Sequence, residues 1–216
     1  SILRRTSIAT QFRRTDWECS QSPVSISTSF CEWMINAGDY QGALTHHFDW
    51  YPLDSSTPAY PRQMELALAN DCNFACIQCL GDWSSRIRTQ REGLPALARV
   101  YDERFFTSLE KFIPHLQVAK FYGGEPFLIP ECYRVWDMMA AAGTRPRSFI
   151  LTNGSQWHER VERGLEQISP AIAVSLDAVS DRDLLERIRV GARYDQLLEN
   201  IGRFRDYSRL RDLRMS

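Results

Sequence analysis

Four short apolar runs alternate with amphipathic stretches from residue 63 onward, and each run ends in glycine or polar residues. The runs occupy residues 64–69, 118–122, 148–151 and 171–174. Short apolar runs separated by helix-length stretches are typical of βα units, in which buried parallel strands are joined by helices. The pattern therefore predicts an α/β fold with four parallel strands.

The stretches between and after the runs carry apolar residues at helical spacing. Helical faces are predicted before Pro114, before Gly143, before Pro170 and over residues 197–207. Because parallel strands share one direction, their polar ends lie together at one edge of the sheet, where binding loops converge. Every candidate motif in the chain follows one of the four runs.

The chain is large and apolar enough to bury one core, since it has 216 residues of which 44% are hydrophobic. The formal net charge is -1, which gives no reason to expect nucleic acid or an anionic membrane surface as a partner. No apolar run approaches the roughly 20 residues that span a bilayer. We therefore expect a soluble protein without membrane attachment.

Residues 1–62 differ from the rest of the chain. They are rich in serine, threonine and aromatic residues, and they show no sustained period. Pro52, Pro58 and Pro61 indicate a connecting loop before the first apolar run. We interpret residues 1–62 as a leader segment with no assigned fold, and residues 63–216 as the α/β part.

Three of the six cysteines, Cys72, Cys76 and Cys79, fall within eight residues directly after the first run. Disulfides among them would be strained and would leave one thiol over, so the spacing favours metal ligation in a reducing compartment. We therefore expect a cytoplasmic location. The remaining cysteines are interpreted as ordinary buried thiols: Cys19, Cys31 and Cys132.

The spacing of the three clustered cysteines lets one short loop present three thiolates to a common centre. A cubane iron–sulfur cluster can be held by three thiolates with one iron left open, whereas a zinc site usually takes four ligands. A zinc site would need its fourth ligand from Cys19, Cys31 or the pair His46 and His47. The loop alone leaves both alternatives open.

The four strand ends carry their motifs in a definite order. Cys72-x-x-x-Cys76-x-x-Cys79 follows the first run, GGEP follows the second at 123–126, TNG the third at 152–154, and SLD the fourth at 175–177. In this order and position the motifs resemble the radical S-adenosylmethionine (SAM) superfamily, over roughly residues 63–207. The form FYGGEPF at 121–127, with Asn-Phe at 73–74, is most similar to the branch with SPASM or twitch C-terminal extensions.

The resemblance implies a partial (β/α) barrel of the radical SAM type. Barrels of this type usually have six strands and are followed by the C-terminal extension. Only four βα units are visible in this sequence. We therefore expect residues 63–216 to form the N-terminal part of such a barrel, truncated after the fourth unit.

The resemblance also implies two cofactors: a [4Fe–4S] cluster on Cys72, Cys76 and Cys79, and SAM, whose amino and carboxylate groups chelate the open iron. An electron from a low-potential donor, such as flavodoxin or ferredoxin, would cleave SAM to methionine and a 5'-deoxyadenosyl radical that abstracts hydrogen from a substrate. The branch resemblance favours a peptide or protein substrate. The alternatives are a small metabolite or, from another class, a non-catalytic metal-binding or electron-transfer module.

The resemblance assigns the glycine-rich turn and the third motif to SAM binding. Gly123 and Gly124 let the backbone approach the methionine moiety, and Glu125 accepts a hydrogen bond from its ammonium group. The alternative is a plain turn that links strand to helix. Asn153 is a cofactor-binding candidate, although Asn-Gly also predicts a turn without any ligand.

Ser175 and Asp177 alternate along one strand, so their side chains share a face, which the resemblance directs toward the SAM ribose and carboxylate. Arg189 matches the family arginine that pairs with that carboxylate. Arg187 lies close enough to be the alternative match, and a solvated helix arginine is the competing interpretation.

One position departs from the family pattern. The residue before the last family cysteine is commonly aromatic and packs against adenine, whereas this chain has Gln78. Contacts to adenine would then come from backbone groups or from Phe74.

Overall fold

A computed structural model describes residues 60–213 of the chain. Almost all of the leader segment lies outside the described residues, including Cys19, Cys31, His46 and His47. The strands are β1 (Gln63–Leu66), β2 (Val118–Phe121), β3 (Arg147–Thr152) and β4 (Ala171–Val174). The α-helices are α1 (Glu103–Leu109), α2 (Pro130–Ala141), α3 (Glu159–Ile168), α4 (Arg182–Ile188) and α5 (Tyr194–Leu210). Shorter helical turns occupy Ile87–Arg91, Ile113–His115 and Pro126–Leu128.

The four strands form one parallel sheet in the order β1-β2-β3-β4. The register places Leu66 beside Phe121, Phe121 beside Ile150, and Ile150 beside Ile172. The predicted α/β fold with four parallel strands is therefore confirmed. So is the single edge at which all four strands end.

Two elements differ from the sequence-based expectation. β1 ends at Leu66 instead of continuing to residue 69, because Tyr122 gives the last ladder hydrogen bond to the Leu66 carbonyl and the chain after it turns at Gly123. The helix predicted before Pro114 from Leu109, Phe112 and Ile113 instead spans Glu103–Leu109, where the Asp102 carboxylate caps it by accepting from the Phe105 amide, and Ile113 begins a separate short turn. In addition to these two elements, the structure contains a helix that was not predicted, α4.

One face of the sheet forms the core. The row that runs across all four strands consists of buried apolar residues: Leu66, Phe121, Ile150 and Ile172. Helices cover this row, with Trp136 of α2, Leu165 of α3 and Phe204 of α5 in the same hydrophobic cluster. This packing fixes the sheet and therefore the positions of its strand ends.

The opposite face of the sheet carries a polar group. Tyr122 donates a hydrogen bond of 2.7 Å to one Glu65 oxygen, and Lys120 reaches the other at 2.8 Å. All three groups are partly exposed. Among the described helices, none is long and apolar enough to cross a membrane.

Candidate functional site

Residues 72–79, which we call the cysteine loop, follow β1 at the C-terminal edge of the sheet. Its three cysteines are free thiols, with Cys76 buried and Cys72 and Cys79 partly buried. The loop lies against residues 188–190 at the end of α4. The Ala75 amide donates to the Val190 carbonyl at 2.8 Å, and the Ile77 amide donates to the Ile188 carbonyl at 2.9 Å. The loop after β1 and the segment that follows β4 are thus joined by backbone hydrogen bonds.

Two of the thiols titrate above their ordinary range. Burial raises the pKa of Cys72 and of Cys76, and at Cys76 the charge of Arg189 partly opposes the effect of burial. Metal ligation requires the thiolate, so a bound metal has to displace these protons.

The number of thiols on the loop bears on the two metal alternatives. The fourth ligand that zinc would need was expected from Cys19, Cys31, His46 or His47, and all four lie outside the described residues. Zinc needs its ligands to converge on one point at about 2.3 Å for sulfur, whereas the irons of a cubane occupy separate corners and each thiolate binds its own iron. Three free thiols on one loop therefore fit the donor set of a [4Fe–4S] cluster.

The glycine-rich turn packs directly onto the start of the cysteine loop. Gly123 and Gly124 both have positive φ, at 84° and 55°. A Cβ on Gly124 would overlap the carbonyl oxygen of Asp71, which also accepts a hydrogen bond of 2.7 Å from the Glu125 amide. Close approach of backbone does occur at these glycines: Gly124 lies against Asp71, the residue before Cys72, and Gly123 lies against Ala67 and Ala69. Their contact with methionine stays a prediction.

The Glu125 carboxylate is completely buried and faces the end of β3. It accepts hydrogen bonds from the Thr152 hydroxyl at 2.8 Å, the Asn153 backbone N–H at 2.6 Å and the Phe127 backbone N–H at 3.2 Å. Burial raises its pKa to about 7, although the hydrogen bonds act in the opposite direction. The carboxylate therefore fastens the glycine-rich turn to β3. Its predicted bond to the SAM ammonium group stays a prediction.

Asn153 combines a turn with a contact to the cysteine loop. Its side-chain oxygen accepts from the Ser155 amide at 2.9 Å, which is the hydrogen bond of a local turn. Its side-chain nitrogen donates to Asn73 at 3.0 Å and lies 3.7 Å from the Cys72 sulfur. The TNG motif after β3 thus contacts a cysteine of the motif that follows β1.

The fourth motif meets Arg189 and Gln78. The Arg189 Nε lies 2.8 Å from an Asp177 oxygen, although its N–H is not aligned for a hydrogen bond. The side-chain amide of Gln78 donates to the same oxygen at 3.2 Å. Arg189 is buried and Arg187 is exposed, so a solvated helix arginine is wrong for Arg189. The Ser175 amide donates to the Thr152 carbonyl at 2.9 Å, but β4 ends at Val174, so the expectation that Ser175 and Asp177 share a strand face is wrong: both lie in the loop that follows the strand. The roles of these residues toward SAM stay predictions.

A small cavity lies beside Asn73 and the end of β3. Its volume is about 140 Å³, and it is lined by residues of the cysteine loop, the β3 end and the start of α5, among them Asn73, Ser155 and Gln196. Phe74 also borders it, but this ring is only 2% exposed and packs with Leu185 and Leu197.

Several residues that stabilise the backbone of the cysteine loop were not predicted from the sequence. Ser84, Ser85, Arg86 and Arg91 all donate hydrogen bonds to its carbonyl groups. The available signal was the dense run of serine and arginine that begins five residues after Cys79, SSRIRTQR at residues 84–91. A loop with few internal hydrogen bonds needs donors from elsewhere.

Comparison with protein families matches residues 66–210 to the family described as the Radical SAM superfamily. The matched range contains all the cysteines, glycines and polar residues assigned above to the cluster and to SAM. No curated protein matches the chain in sequence.

Solved structures share the fold at low identity. For anSMEcpe with bound AdoMet the identity is 15% and the TM-score 0.52, and the match covers 72% of this chain and 42% of that one. The same protein with bound AdoMet and Cp18Cys peptide gives 15% and 0.50, covering 71% and 41%. Streptococcus suis SuiB bound to S-adenosylmethionine gives 13% and 0.50, covering 94% and 43%. The chain thus spans about two fifths of the length of these structures, and their likeness confirms the partial (β/α) barrel.

Proposed function

Because the chain belongs to the radical SAM superfamily, we propose that Cys72, Cys76 and Cys79 bind a [4Fe–4S] cluster at which SAM is cleaved for hydrogen abstraction. The superfamily uses this cluster and SAM as its cofactors, and both are cofactors of this chain. When bound, the cluster supplies an electron that splits SAM into methionine and a 5'-deoxyadenosyl radical. The electron comes from a low-potential donor such as flavodoxin or ferredoxin.

The observation that carries this proposal is that the segments after β2, β3 and β4 all contact the segment after β1, which contains the cysteine loop. The glycine-rich turn contacts Asp71, Asn153 contacts Cys72, and Gln78 contacts Asp177. The first of these bonds links the residue just before the cysteine loop, and the other two link the loop itself, each to a different βα unit. A loop held in this way keeps its thiols beside the polar groups that are proposed to bind SAM.

The chain's own residues have three tasks in this chemistry. The cysteine loop supplies three thiolates and leaves one iron without a protein ligand. Arg189 offers a cation for the SAM carboxylate, and Ser175 and Asp177 offer polar groups for the ribose. The buried Glu125 carboxylate holds the glycine-rich turn against the end of β3 through its hydrogen bonds to Thr152 and Asn153.

Anaerobic reconstitution followed by electron paramagnetic resonance tests the proposal. The dithionite-reduced cluster should change its spectrum when SAM is added, because SAM becomes a ligand of the open iron. A cluster or metal site with a full set of protein ligands would keep its spectrum and would favour a non-catalytic module. Cys132→Ala is the matched control, since Cys132 is a buried thiol of α2 outside the site.

For the substrate, we favour a peptide or protein side chain. Support comes from the solved structure of similar fold that holds AdoMet and the Cp18Cys peptide. The face of the sheet that carries Glu65, Lys120 and Tyr122 offers hydrogen-bonding groups for a polypeptide near the strand ends.

Isotope transfer tests this substrate class. Hydrogen abstraction moves a substrate hydrogen into 5'-deoxyadenosine, so a deuterated substrate yields a heavier product. A pool of peptides from deuterated cell protein should label 5'-deoxyadenosine, and the small-molecule filtrate of the same cells should not. Labelling by the filtrate alone would assign the substrate to small metabolites. Cys76→Ala supplies the background without a complete cluster.

A further inference from the structure

The backbone of the cysteine loop is held by one short segment that follows it. Ser84 donates to the Phe74 carbonyl at 2.7 Å, and Arg86 donates to the Asn73 carbonyl at 2.8 Å. Inside the loop, the Cys79 amide donates to the Cys76 carbonyl at 3.2 Å. The following segment therefore supplies much of the hydrogen bonding that fixes the shape of the loop.

Arg91 is the member of this segment that contacts two of the ligand residues, whereas Ser85 contacts only Cys72. Its Nη1 donates to the Cys76 carbonyl at 3.1 Å, and its Nη2 donates to the Cys79 carbonyl. The two donors of one planar guanidinium thus span two cysteine residues and set the separation of their backbones. Arg91 ends the π-helical turn Ile87–Arg91, a geometry that recurs at functional sites.

The charge of Arg91 is not matched by a carboxylate. Among residues 60–213, Arg91 and Arg86 form no ion pair with an acid, whereas Arg88 on the same turn lies 3.2 Å from Asp82. Three thiolates would place negative charge on the loop that Arg91 holds. A cation beside them favours the reduced cluster, which carries one more negative charge.

We propose that Arg91 is a positioning residue: it holds the backbones of Cys76 and Cys79 in place and raises the reduction potential of the bound cluster. This inference rests on the proposed function. It concerns an arginine whose hydrogen bonds go to the carbonyl groups of the loop, so that Arg91 acts through the backbone of the ligand residues.

The test compares Arg91→Gln, Arg91→Lys and Arg88→Gln in the reconstituted chain. Arg88→Gln is the matched control, because it removes an equal charge from the same turn while its side chain bonds to Pro95 and Asp82. The first readout is the rate at which a chelator removes iron. The second is the midpoint potential from a dye-mediated titration with dithionite. Circular dichroism checks the fold of each variant.

For Arg91→Gln we expect iron release about tenfold faster than in the wild-type chain, because two carbonyl groups lose charge-assisted hydrogen bonds. We expect the ratio of reduced to oxidised cluster at a fixed potential to fall about threefold, which is about 28 mV for a one-electron couple. Arg91→Lys keeps the positive charge but cannot bond to both carbonyl groups in the same way. The reduction potential of the cluster should therefore stay near the wild-type value, while iron release should be faster. Arg88→Gln should match wild type in both readouts.

The proposal is overturned if Arg91→Gln and Arg88→Gln are alike in both readouts. If Arg91→Gln does not fold, Arg91→Lys decides, and iron release equal to wild type overturns the inference. A wild-type chain that holds iron but shows no spectral response to SAM would refute the proposed function, while iron release would still judge the role of Arg91. A wild-type chain that binds no iron overturns both.

Discussion

Arg189, buried at the end of α4, lies 2.8 Å from Asp177 after β4, so two residues that were each predicted to contact SAM also contact each other. The pair is unequal in exposure, since the side chain of Arg189 is 8% exposed and that of Asp177 is 34% exposed. Water can therefore reach the acid but hardly the base. This difference in exposure determines how much folding stability should be lost when either side chain is replaced.

Asp177→Asn should lower the free energy of unfolding by about 1–3 kcal/mol, because it leaves a buried guanidinium without its counter-ion. Arg189→Met should cost less, since it removes the buried charge and leaves an acid that water can solvate. Urea unfolding of both single variants and the double variant measures the difference. Equal costs for the two single variants, or strictly additive costs in the double variant, would contradict the pairing.

Gly124→Ala should destabilise the chain more than Gly143→Ala. Both glycines have positive φ, 55° and 67°, so alanine meets a similar backbone penalty of about 1 kcal/mol at each position. Only Gly124 lies against the Asp71 carbonyl, while no atom lies within 4 Å of a Cβ at Gly143. We expect a further cost of about 1–3 kcal/mol at Gly124, together with weaker iron retention. Thermal unfolding and iron content measure the two effects.

Stability should fall as pH rises through the neutral range because of Glu125. Its pKa is raised from 4.5 to about 7 in the folded chain, so between these values the folded state keeps a proton that the unfolded state has lost. The contribution is complete below about pH 4.5 and is lost as pH passes about 7, to a total of at most about 3 kcal/mol.

Glu125→Gln cannot titrate, and it isolates this effect. At pH 5 the variant should be the less stable protein, because one amide oxygen cannot serve all the donors around it. The deficit should shrink toward pH 8 as the wild-type carboxyl group ionises. Urea unfolding of both proteins over this range is the measurement, and a deficit independent of pH would refute the assignment.

Alanine at Cys72, Cys76 or Cys79 should lower the iron retained after reconstitution by at least about tenfold, since two thiolates are too few to anchor the cluster. Cys132→Ala should retain iron, because this buried thiol of α2 packs in the core. We expect the same of Cys19→Ala and Cys31→Ala. Comparable losses in the two groups of variants would show that the ligands are wrongly assigned.

The strands were predictable because each is a short apolar run whose partners share its buried face. β4 was predicted at its observed bounds, and the single edge of the sheet followed from the parallel order. The end of β1 was not predictable, because it depends on the turn at Gly123 in a neighbouring unit. Apolar periodicity reports burial along one element, and it does not report where a neighbouring element turns away.

The candidate site was predictable as a set of residues, and its internal contacts were not. Motif order placed Cys72, Asn153 and Asp177 at strand ends that the structure brings together. The inward orientation of Glu125 and the contact of Gln78 with Asp177 depend on side-chain directions in loops, for which the sequence carries no periodic signal. Arg91 was missed because its partners are backbone carbonyls, which every residue possesses.

The spacing of the strand pairs along the chain sets an order of assembly. Gln63 pairs with Val118, 55 residues later, whereas Phe149 pairs with Ala171, only 22 residues later. Closing the longer loop costs more chain entropy, and contacts between distant residues form more slowly. We therefore expect β3 and β4 to associate early and β1 to dock late. The cysteine loop follows β1 and is then among the last parts to reach its final shape, so iron binding by its thiols should come after β3 and β4 have paired.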